Sequence, residues 1–515
     1  MIKKTTKEKK AVLLILDGWG LGKKDDGNAI HLAKTPFIDS LYKKYPWTKV
    51  CAHGKCAGLP KDQVGNSEAG HENIGAGKIV DQDVVYIDKD IKDGRFYKNP
   101  AFLAAINSIK KSKSNLHLMG MLSSNGSPHS NSAHLKSLIK LTRQKKVKNV
   151  YLHLFTDGRD SPPRSALKII GALERFLKPN EIIATVIGRF YAMDRKKSWE
   201  RTNWAYDAML LGRGHEAKSP QEGITRAYNA NVTDEFIEPI VMYQKNKMTP
   251  RIKNGDAIIF FNLRSDRARQ FAKPFVQDGF EKMNPGSIKR KKVLSKVIFV
   301  AMTDFGPDLD GILTAYPSED LKDTLPMLLK DKKQIYIAEK EKYAHVTYFF
   351  NGGYPDPIAG EERFLVSSPN VTSYDKKPAM STARIVKKVI SSITTHDFIC
   401  ANIACPDMIA HTGNLKAGIK AAEAVDKYVK KIYQVCKKKD VDLIITADHG
   451  NIEYMYNSKT GEVITEHTTN PVPFIVISSR VAKSRGLKKN ANLGNIAPTI
   501  VKLLGVNIKD KDSII

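Results

Sequence analysis

The chain of 515 residues lacks the features that would mark it as a membrane, fibrous or disordered protein. Its apolar runs fall well short of the roughly 18 residues that a membrane-spanning helix requires. It contains no low-complexity tract and no repeat of fixed period, and 42% of its residues are hydrophobic, which argues against extensive disorder. The apolar stretch AVLLIL near the N-terminus ends at Asp17, too early for a secretion signal. We therefore expect a cytoplasmic protein, and the length predicts two domains.

Cysteine is also scarce. The five cysteines are an odd number, and no two of them form a CxxC pair. This pattern argues against a disulfide framework and against a zinc site built on thiolates. We predict free thiols at Cys51, Cys56, Cys400, Cys405 and Cys436.

The formal net charge is +29 at pH 7, a value that can indicate nucleic acid, an anionic surface or an anionic small substrate as the partner. The lysines form scattered clusters such as RQKKVKN and KRKKVLSK, without interleaved aromatic residues. We interpret them as a solvated surface and expect no nucleic-acid partner, although charge alone leaves nucleic-acid binding open.

Short apolar runs alternate with helical stretches, which predicts an α/β fold with mostly parallel sheets. Six of these runs end in a charged residue followed by turn-forming residues. Because ligands of open α/β sheets bind at the carboxyl ends of strands, these ends indicate a site assembled from distant segments. The charged residues are Asp17, Asp157, Arg264, Asp304, Asp407 and Asp448.

Two segments have the composition of crossings between domains. Residues 81–94 are polar and acidic, and residues 301–317 contain two prolines and two glycines. If the chain crosses at both segments, residues 82–314 form a domain inserted into one made of residues 1–81 and 315–515.

Carboxylates and imidazoles cluster at these strand ends and in one later loop. They are Asp17, Asp407 with His411 four residues later, Asp448 with His449 directly after it, and His467 in TEHTTNPVP. This set exceeds what one divalent ion takes from a protein, and oxygen and imidazole ligands without thiolate favour Mn²⁺ or Zn²⁺ over Mg²⁺. Two ions close together would stabilise both the attacking and the leaving oxygen in phosphoryl transfer.

The stretch VGNSEAGHENIGAG contains Ser67 among glycines and acidic residues. It lacks the second glycine of a G-x-S-x-G elbow and the Ser or Thr of a Walker loop. We expect Ser67 to be the N-cap of a helix, whose free N–H groups favour an anion. A serine hydroxyl needs a base or a metal to become a nucleophile, and the carboxylate and imidazole set offers a metal.

The central segment contains arginines among turn residues: Arg159, Arg189, Arg195, Arg264 and Arg267. Guanidinium groups bind carboxylate and phosphate through paired hydrogen bonds, so this set predicts a substrate with both kinds of anion. Asp160 is placed to act as a general base. Lys342 would add a positive charge at a developing alkoxide, and His129 lies in a small-residue loop suited to a substrate contact.

These motifs together resemble the cofactor-independent (2,3-bisphosphoglycerate-independent) phosphoglycerate mutase family. The resemblance runs from LDGWG to TEHTTNPVP, and its most specific matches are VGNSEAGHENIGAG, FTDGRDSPP, YAMDRKKSWERT, FFNLRSDRARQ, EKEKYAHVTYFFNGG, PDMIAHTGN and TADHGN. It implies a phosphatase-like domain of the alkaline phosphatase superfamily, residues 1–81 and 315–515, and an inserted transferase domain, residues 82–314.

The resemblance also implies two Mn²⁺ ions and a substrate site. One ion would bind Asp407, His411 and His467, and the other would bind Asp17, Ser67, Asp448 and His449. The substrate would contact His129, Arg159, Asp160, Arg189, Arg195, Arg264, Arg267 and Lys342. One departure is the loop SSNGSPHSNS around His129, where the family usually reads something like SDGGVHSH.

The implied reaction interconverts 3-phosphoglycerate and 2-phosphoglycerate in glycolysis and gluconeogenesis. Ser67 would take the phosphoryl group, and the other glycerate hydroxyl, deprotonated by Asp160, would recover it. The rival hypothesis is a metal-dependent phosphatase of the same superfamily, in which water is the acceptor. The expected partner is a small-molecule substrate, and the expected state is a monomer.

Overall fold

The computed structural model describes residues 9–124, 127–244, 247–306, 308–309, 311–318, 320–483, 486–507 and 512–515. The chain divides into two units, the first formed by residues 1–82 and 320–515 and the second by residues 83–319. The polar segment 81–94 is largely the helix Asp83–Asp93, and the segment 301–317 includes the strand Ile312–Tyr316.

The first unit contains an eight-stranded sheet. Its first five strands are parallel, the sixth is antiparallel to both neighbours, and the last two are parallel to each other. From edge to edge, the strands are Glu362–Val366, Gln334–Glu339, Phe398–Ile403, Ala11–Leu16, Asp442–Thr446, Val472–Ile477, Trp47–Cys51 and Ala491–Asn492. A separate pair consists of Tyr456–Asn457 and Glu462–Val463.

The central strands Ala11–Leu16 and Phe398–Ile403 are buried at every position, as expected for parallel strands that are covered on both faces. The long helix Leu415–Lys439 buries one apolar stripe against the core and exposes its lysines. The α-helices of this unit are Ala29–Leu32, Pro36–Lys44, Ser67–Ala76, Leu325–Leu328, Thr382–Ser392, Cys405–Ala410, Leu415–Lys439 and Ile496–Leu504. Shorter helical turns are Gly54–Ala57, Lys340–Lys342, His345–Phe349, Tyr374–Lys376 and Leu493–Asn495.

The second unit contains a nine-stranded sheet, which is parallel except that Ile240–Gln244 pairs antiparallel with Glu181–Gly188 and with Lys247–Met248. Its path is Ile312–Tyr316, Ile298–Thr303, Ala257–Phe260, Leu116–Leu122, Val150–Thr156, Glu181–Gly188, Ile240–Gln244 and His215–Ala217, with Lys247–Met248 paired to Ile240–Gln244. The α-helices are Asp83–Asp93, Pro100–Ser112, Ser132–Gln144, Ala166–Glu174, Arg189–Ala192, Trp199–Leu211, Pro220–Asn229, Ser265–Val276 and Phe280–Met283, and the 3-10 turns are Phe96–Lys98 and Asp234–Phe236.

Side chains along the strand Leu116–Leu122 alternate between two apolar cores. Leu116 and Leu118 belong to one core, whereas Met119 and Met121 belong to the other. Since successive strand residues point to opposite faces, this sheet is covered by apolar side chains on both sides.

The predicted α/β class with mostly parallel sheets is confirmed. All six apolar runs that end in a charged residue contain a strand, and the strands end at Leu16, Thr156, Phe260, Thr303, Ile403 and Thr446. Among the described helices, none has the length and apolar character needed to cross a membrane.

The prediction of free thiols is wrong for Cys51 and Cys56, which form a disulfide. Cys51 ends a strand and Cys56 lies in the turn Gly54–Ala57, which reverses the chain and leaves the two Cα atoms 6.0 Å apart. That separation is within the range a disulfide spans, even though the pair is not a CxxC motif. The other three cysteines, Cys400, Cys405 and Cys436, are free and buried.

Candidate metal centre and arginine cluster

The helix that carries Ser67 begins one residue earlier than predicted. Asn66 is the N-cap, because its backbone is extended and its side chain accepts a hydrogen bond from the N–H of Ala69 at 2.9 Å. Ser67 is the first helical residue, so the prediction of Ser67 as the cap is wrong. Gly70 lets this helix lie against a ligand-bearing turn, since a Cβ there would come within 2.7 Å of the Asp448 carbonyl oxygen.

The Ser67 hydroxyl is buried among charged side chains in the first unit. Lys342 donates from Nζ to Ser67 Oγ at 2.7 Å, and His449 Nε2 lies 2.9 Å from the same oxygen. Asp17 Oδ1 lies 3.4 Å from Ser67 Oγ. His449 Nδ1 faces the Gly450 carbonyl at 3.3 Å, so Nδ1 carries the proton and Nε2 presents a lone pair to the hydroxyl.

Three lone pairs converge at Asp407, His411 and His467. The Nδ1–H of His411 donates to the Thr465 carbonyl at 2.8 Å, and that of His467 donates to the Gly65 carbonyl at 2.8 Å. Both Nε2 atoms are therefore unprotonated in the neutral rings, yet they lie 3.1 Å apart and each lies 3.3 Å from Asp407 Oδ1. Acceptors that face one another without a shared proton are the arrangement of a metal site.

The charge of the three buried aspartates is only partly balanced within the described residues. Lys342 Nζ lies 2.6 Å from both Asp17 Oδ1 and Asp407 Oδ2. Burial and the neighbouring Asp448 carboxylate raise the pKa of Asp17 to about 7. Burial would also raise the pKa of Asp407, but the Lys342 ammonium and the His411 side chain hold it well below its ordinary value. Another cation at this position would relieve the repulsion among these carboxylates.

The side chains present fit divalent metal ions. Three overlapping groups have ligand atoms within 4.8 Å of one another: Asp407, His411 and His467; Asp17, Asp407 and His449; and Asp17, His71 and Asp448. Burial lowers the pKa of His449 to about 4, so its imidazole is neutral, as a metal ligand must be. Carboxylate oxygens with imidazole nitrogens suit Mn²⁺ or Zn²⁺.

Sequence reasoning missed His71, which lies fully buried one helical turn after Ser67. Its Nδ1–H donates to the Ser67 carbonyl at 2.9 Å and lies 3.3 Å from Asp448 Oδ2. Asn402 donates from Nδ2 to His71 Nε2 at 3.0 Å and to Asp17 Oδ2 at 2.6 Å. The available signal was the position of His71, four residues after Ser67 on the same helix face.

Glu453 is a second residue that the sequence did not reveal. One carboxylate oxygen accepts the N–H groups of Gly20 at 3.0 Å and Asn451 at 2.8 Å. The other accepts the Thr468 hydroxyl and the Asn470 amide. These four donors belong to the segments that follow Asp17, His449 and His467, so one buried carboxylate joins three ligand-bearing loops. No motif marks it, because its partners are mostly backbone and loop groups.

The second unit contains a cluster of arginines and aspartates at the ends of its strands. Arg189 is buried, and its Nη1 donates to Asp157 Oδ1 at 2.5 Å and to Asp160 Oδ2 at 2.9 Å. Asp157 also accepts the N–H groups of Arg159 and Asp160 at 3.3 and 3.1 Å, which orders the turn of TDGRDSPP. Arg189 thus contacts both carboxylates of this turn, Asp157 and Asp160.

Arg267 lies among other guanidinium groups. Burial and the nearby Arg189, Arg195 and Arg159 lower its pKa. Its Nη1 donates to the Met193 carbonyl at 3.2 Å. Arg195 and Arg264 approach a single carboxylate, Asp266, at 2.6 and 3.6 Å. Arg159 lies 3.8 Å from Glu235 and is half exposed. This excess of cations suits an anion with several oxygens.

His129 lies beside these arginines. Burial and the Arg189 guanidinium lower its pKa to about 4, so the imidazole is neutral near pH 7. Its Nδ1 is buried without a hydrogen-bond partner among the described residues, as expected of a group that contacts a ligand. The loop before it includes Asn125 and Gly126, part of the departure from the family pattern, and these two lie outside the described residues.

The structure brings the sequence-predicted residues together in two places. Asp17, Ser67, Asp407, His411, Asp448, His449 and His467 gather in the first unit, and His129, Asp160 and the five arginines gather in the second. Lys342, which was predicted both to add positive charge at a developing alkoxide and to contact the substrate, lies in the first unit and contacts Ser67, Asp17 and Asp407.

Buried carboxylates and imidazoles around a serine hydroxyl define a metal-dependent enzyme centre. A family model described as the metalloenzyme superfamily matches residues 9–508, and the chain belongs to that superfamily. Within it, the chain belongs to the 2,3-bisphosphoglycerate-independent phosphoglycerate mutase family. Relatives of that name from Clostridium botulinum and Clostridium kluyveri are 45% and 44% identical to it, with 97% of each chain covered.

A solved structure leads to the same family. A phosphoglycerate mutase of Leishmania mexicana, determined at low cobalt concentration, is 30% identical with a TM-score of 0.74. The match covers 99% of this chain and 98% of that chain. The resemblance inferred from the motifs is thereby confirmed, and the family and the side-chain clusters together support dependence on a divalent metal.

Proposed function

We propose that this chain interconverts 3-phosphoglycerate and 2-phosphoglycerate without 2,3-bisphosphoglycerate, through a phosphoserine on Ser67. The observation that carries the proposal is the buried Ser67 hydroxyl, held 2.7 Å from Lys342 and 2.9 Å from His449 beside three aspartates. Membership of the mutase family supports the same reaction.

The metal-binding residues divide into two sets in this proposal. Asp407, His411 and His467 hold one Mn²⁺, and Asp17, Ser67, Asp448 and His449 hold the other. When bound, these ions supply positive charge that neutralises the carboxylates and lowers the proton affinity of the serine hydroxyl. The convergent lone pairs of His411, His467 and Asp407 support the first set.

In the first unit, Ser67 is the nucleophile and Lys342 assists it. In the first transfer, the bond from Ser67 Oγ to phosphorus forms as the bond from phosphorus to the glycerate oxygen breaks, and that leaving oxygen recovers the proton that Ser67 gives up. The Lys342 ammonium donates to Ser67 Oγ, and Asp17 and Asp407 hold its pKa above the ordinary value although burial opposes them. A permanently protonated lysine stabilises negative charge on the serine oxygen when the oxygen–phosphorus bond breaks. Burial of the hydroxyl also limits the access of water.

In the second unit, the arginines and His129 hold the substrate. Arg159, Arg195, Arg264 and Arg267 bind its carboxylate and phosphate oxygens, while Arg189 keeps Asp160 in place. In the second transfer, Asp160 takes the proton of the attacking glycerate hydroxyl. The new oxygen–phosphorus bond forms as the bond to Ser67 Oγ breaks, and Ser67 leaves as an alkoxide beside Lys342.

The decisive experiment follows the product made from 3-phosphoglycerate in the absence of bisphosphoglycerate. We expect 2-phosphoglycerate as the main product, loss of activity with a chelator and recovery with Mn²⁺. The alternative, a metal-dependent phosphatase, would release inorganic phosphate from the same substrate. Phosphate as the main product would therefore overturn the proposal, and recovery with Zn²⁺ but not Mn²⁺ would overturn the choice of metal.

The proposal includes a monomer that acts in the cytoplasm and binds no nucleic acid. Light scattering of the purified protein tests the first point. For the last, DNA retention that disappears at physiological salt would fit surface lysines, whereas retention that survives would contradict the proposal.

A further inference from the structure

Ser127 connects two of the proposed substrate residues through one hydroxyl group. It is 7% exposed and lies between the strand Leu116–Leu122 and the helix Ser132–Gln144. Its hydroxyl donates to Asp160 Oδ2 at 2.9 Å and accepts the backbone N–H of His129 at 3.2 Å. The direction of both bonds is determined, because an ionised carboxylate only accepts and an N–H only donates.

Among the described residues, the hydrogen bonds to the Asp160 carboxylate are accepted by only one of its two oxygens, Oδ2. Oδ2 receives the Ser127 hydroxyl and also the Arg189 Nη1, each at 2.9 Å. In the described part of the chain, no hydrogen bond reaches Oδ1. The backbone N–H of Asp160 is held separately by Asp157 Oδ1 at 3.1 Å. The carboxylate is therefore fixed at one oxygen and open at the other.

A general base needs a lone pair that points at the proton it removes, within about 2.6–3.2 Å. A carboxylate held by one donor can rotate about its side-chain bonds, whereas two donors on one oxygen define its orientation. Arg189 is shared with Asp157, so it does not by itself determine which oxygen of Asp160 is engaged. The Ser127 hydroxyl supplies the second, independent constraint.

We propose that Ser127 is a positioning residue that holds Oδ2 of Asp160, so that Oδ1 takes the proton from the attacking substrate hydroxyl. This inference rests on the proposed function, in which Asp160 is the base. Ser127 does not touch the reacting atoms; it acts through Asp160. Because the same hydroxyl accepts from His129, the loop that carries this histidine is held in the same arrangement.

Replacing Ser127 with alanine tests the inference with little change in volume. We expect Ser127→Ala to lower kcat about tenfold, a part of the contribution of a general base, with KM changed less than about twofold.

Two further variants separate positioning from simple damage to the fold. Ser127→Thr keeps the hydroxyl and should restore most of kcat. Ser124→Ala removes a hydroxyl of the same loop that contacts Ser161 at 2.9 Å, not Asp160, and should behave as the wild type. All variants are compared at saturating Mn²⁺, with thermal unfolding as the check of folding.

Phosphoserine trapped by rapid acid quench provides a readout of the first transfer. Its formation does not use Asp160 as a base, so phosphoenzyme should accumulate in Ser127→Ala more than in the wild type. Equal kcat in Ser127→Ala and Ser124→Ala would overturn the inference, as would an effect confined to KM. A wild type that makes no 2-phosphoglycerate would instead overturn the proposed function.

Discussion

The two clusters of charged side chains differ in charge and in burial. The cluster of the first unit is rich in aspartates, and that of the second unit is rich in arginines. In the first unit, three fully buried aspartates, Asp17, Asp407 and Asp448, lie together, and Lys342 contacts Asp17 and Asp407. In the second unit, five arginines accompany Asp157, Asp160 and Asp266, and several of the guanidinium groups remain half exposed.

The pKa values show that each cluster lacks charge of the other sign. Burial and a neighbouring carboxylate raise the pKa of Asp17 to about 7, because the site disfavours another negative charge. Burial and neighbouring arginines lower the pKa of Arg267, because that site disfavours another positive charge. The first site is thus suited to cations and the second to an anionic ligand.

The largest effect is expected at the nucleophile. Ser67→Ala should lower mutase activity by at least about a thousandfold, because no other hydroxyl replaces an essential nucleophile. The fold should persist, since the Asn66 cap and the helix remain intact. A coupled assay for 2-phosphoglycerate and circular dichroism measure the two outcomes, and substantial remaining turnover would exclude Ser67 as the nucleophile.

A substitution in the arginine cluster should lower the affinity for the substrate. Arg267→Ala removes charge-assisted hydrogen bonds worth about 1.5–3 kcal/mol, so KM should rise roughly 10- to 100-fold with a smaller change in kcat. The substrate-free protein should lose little stability, because its neighbours already disfavour this charge. Arg213→Ala is the control, since Arg213 is half exposed and lies 3.6 Å from Asp207. A large fall in melting temperature with unchanged KM would contradict this assignment.

The strands and their charged ends could be predicted from the sequence more accurately than the local geometry of caps and turns. Apolar runs that end in aspartate determine where parallel strands stop, so Asp17, Asp407 and Asp448 could be assigned to one sheet edge in advance. The cap at Asn66 could not be separated from one at Ser67, because both side chains can accept from the helix N–H groups. The disulfide of Cys51 and Cys56 depends on a turn that spacing alone does not define.

The partners of some buried charged residues could not be predicted, because no sequence motif marks them. Glu453 accepts hydrogen bonds from Asn451, Thr468 and Asn470, and also from Gly20, which is 433 residues away in sequence and comes close only in the folded chain. Lys342 was predicted to add positive charge at a developing alkoxide, but the sequence did not indicate that its ammonium also contacts Asp17 and Asp407. Residue type predicts the chemistry of a site, but the partner of each residue depends on the fold.

Glu453 offers a test of how the metal loops are held. In Glu453→Gln, an NH₂ group replaces one accepting oxygen and faces two donors, so the loops should shift. Changes of this kind around metal ligands typically cost 10- to 100-fold in metal affinity, and we expect a loss of about that size for Mn²⁺. Calorimetric titration of the metal-free protein measures it, with Glu462→Gln as an exposed control. Equal affinities in the two variants would show that Glu453 does not organise the site.

The smallest expected effect concerns the interior of the second unit, away from its arginines. His153 is fully buried, and it contacts Thr185 Oγ1 at 2.9 Å and His117 Nδ1 at 3.0 Å. Burial and His117 lower the pKa of His153 well below its ordinary value of 6.5. As the pH falls below 6.5, the unfolded chain therefore binds a proton that the folded chain does not.

The free energy of unfolding should accordingly fall with decreasing pH below about 6.5, by up to about 1.4 kcal/mol per pH unit from this histidine. His153→Gln removes the titrating group and should flatten that dependence, while the variant is less stable near neutral pH because one buried contact changes. Urea unfolding of both proteins in chelator at pH 7.5, 6.5 and 5.5 gives the two slopes. The difference between the two slopes separates the contribution of His153 from that of the carboxylates of the first unit. Parallel slopes would mean that His153 takes up its proton in the folded state.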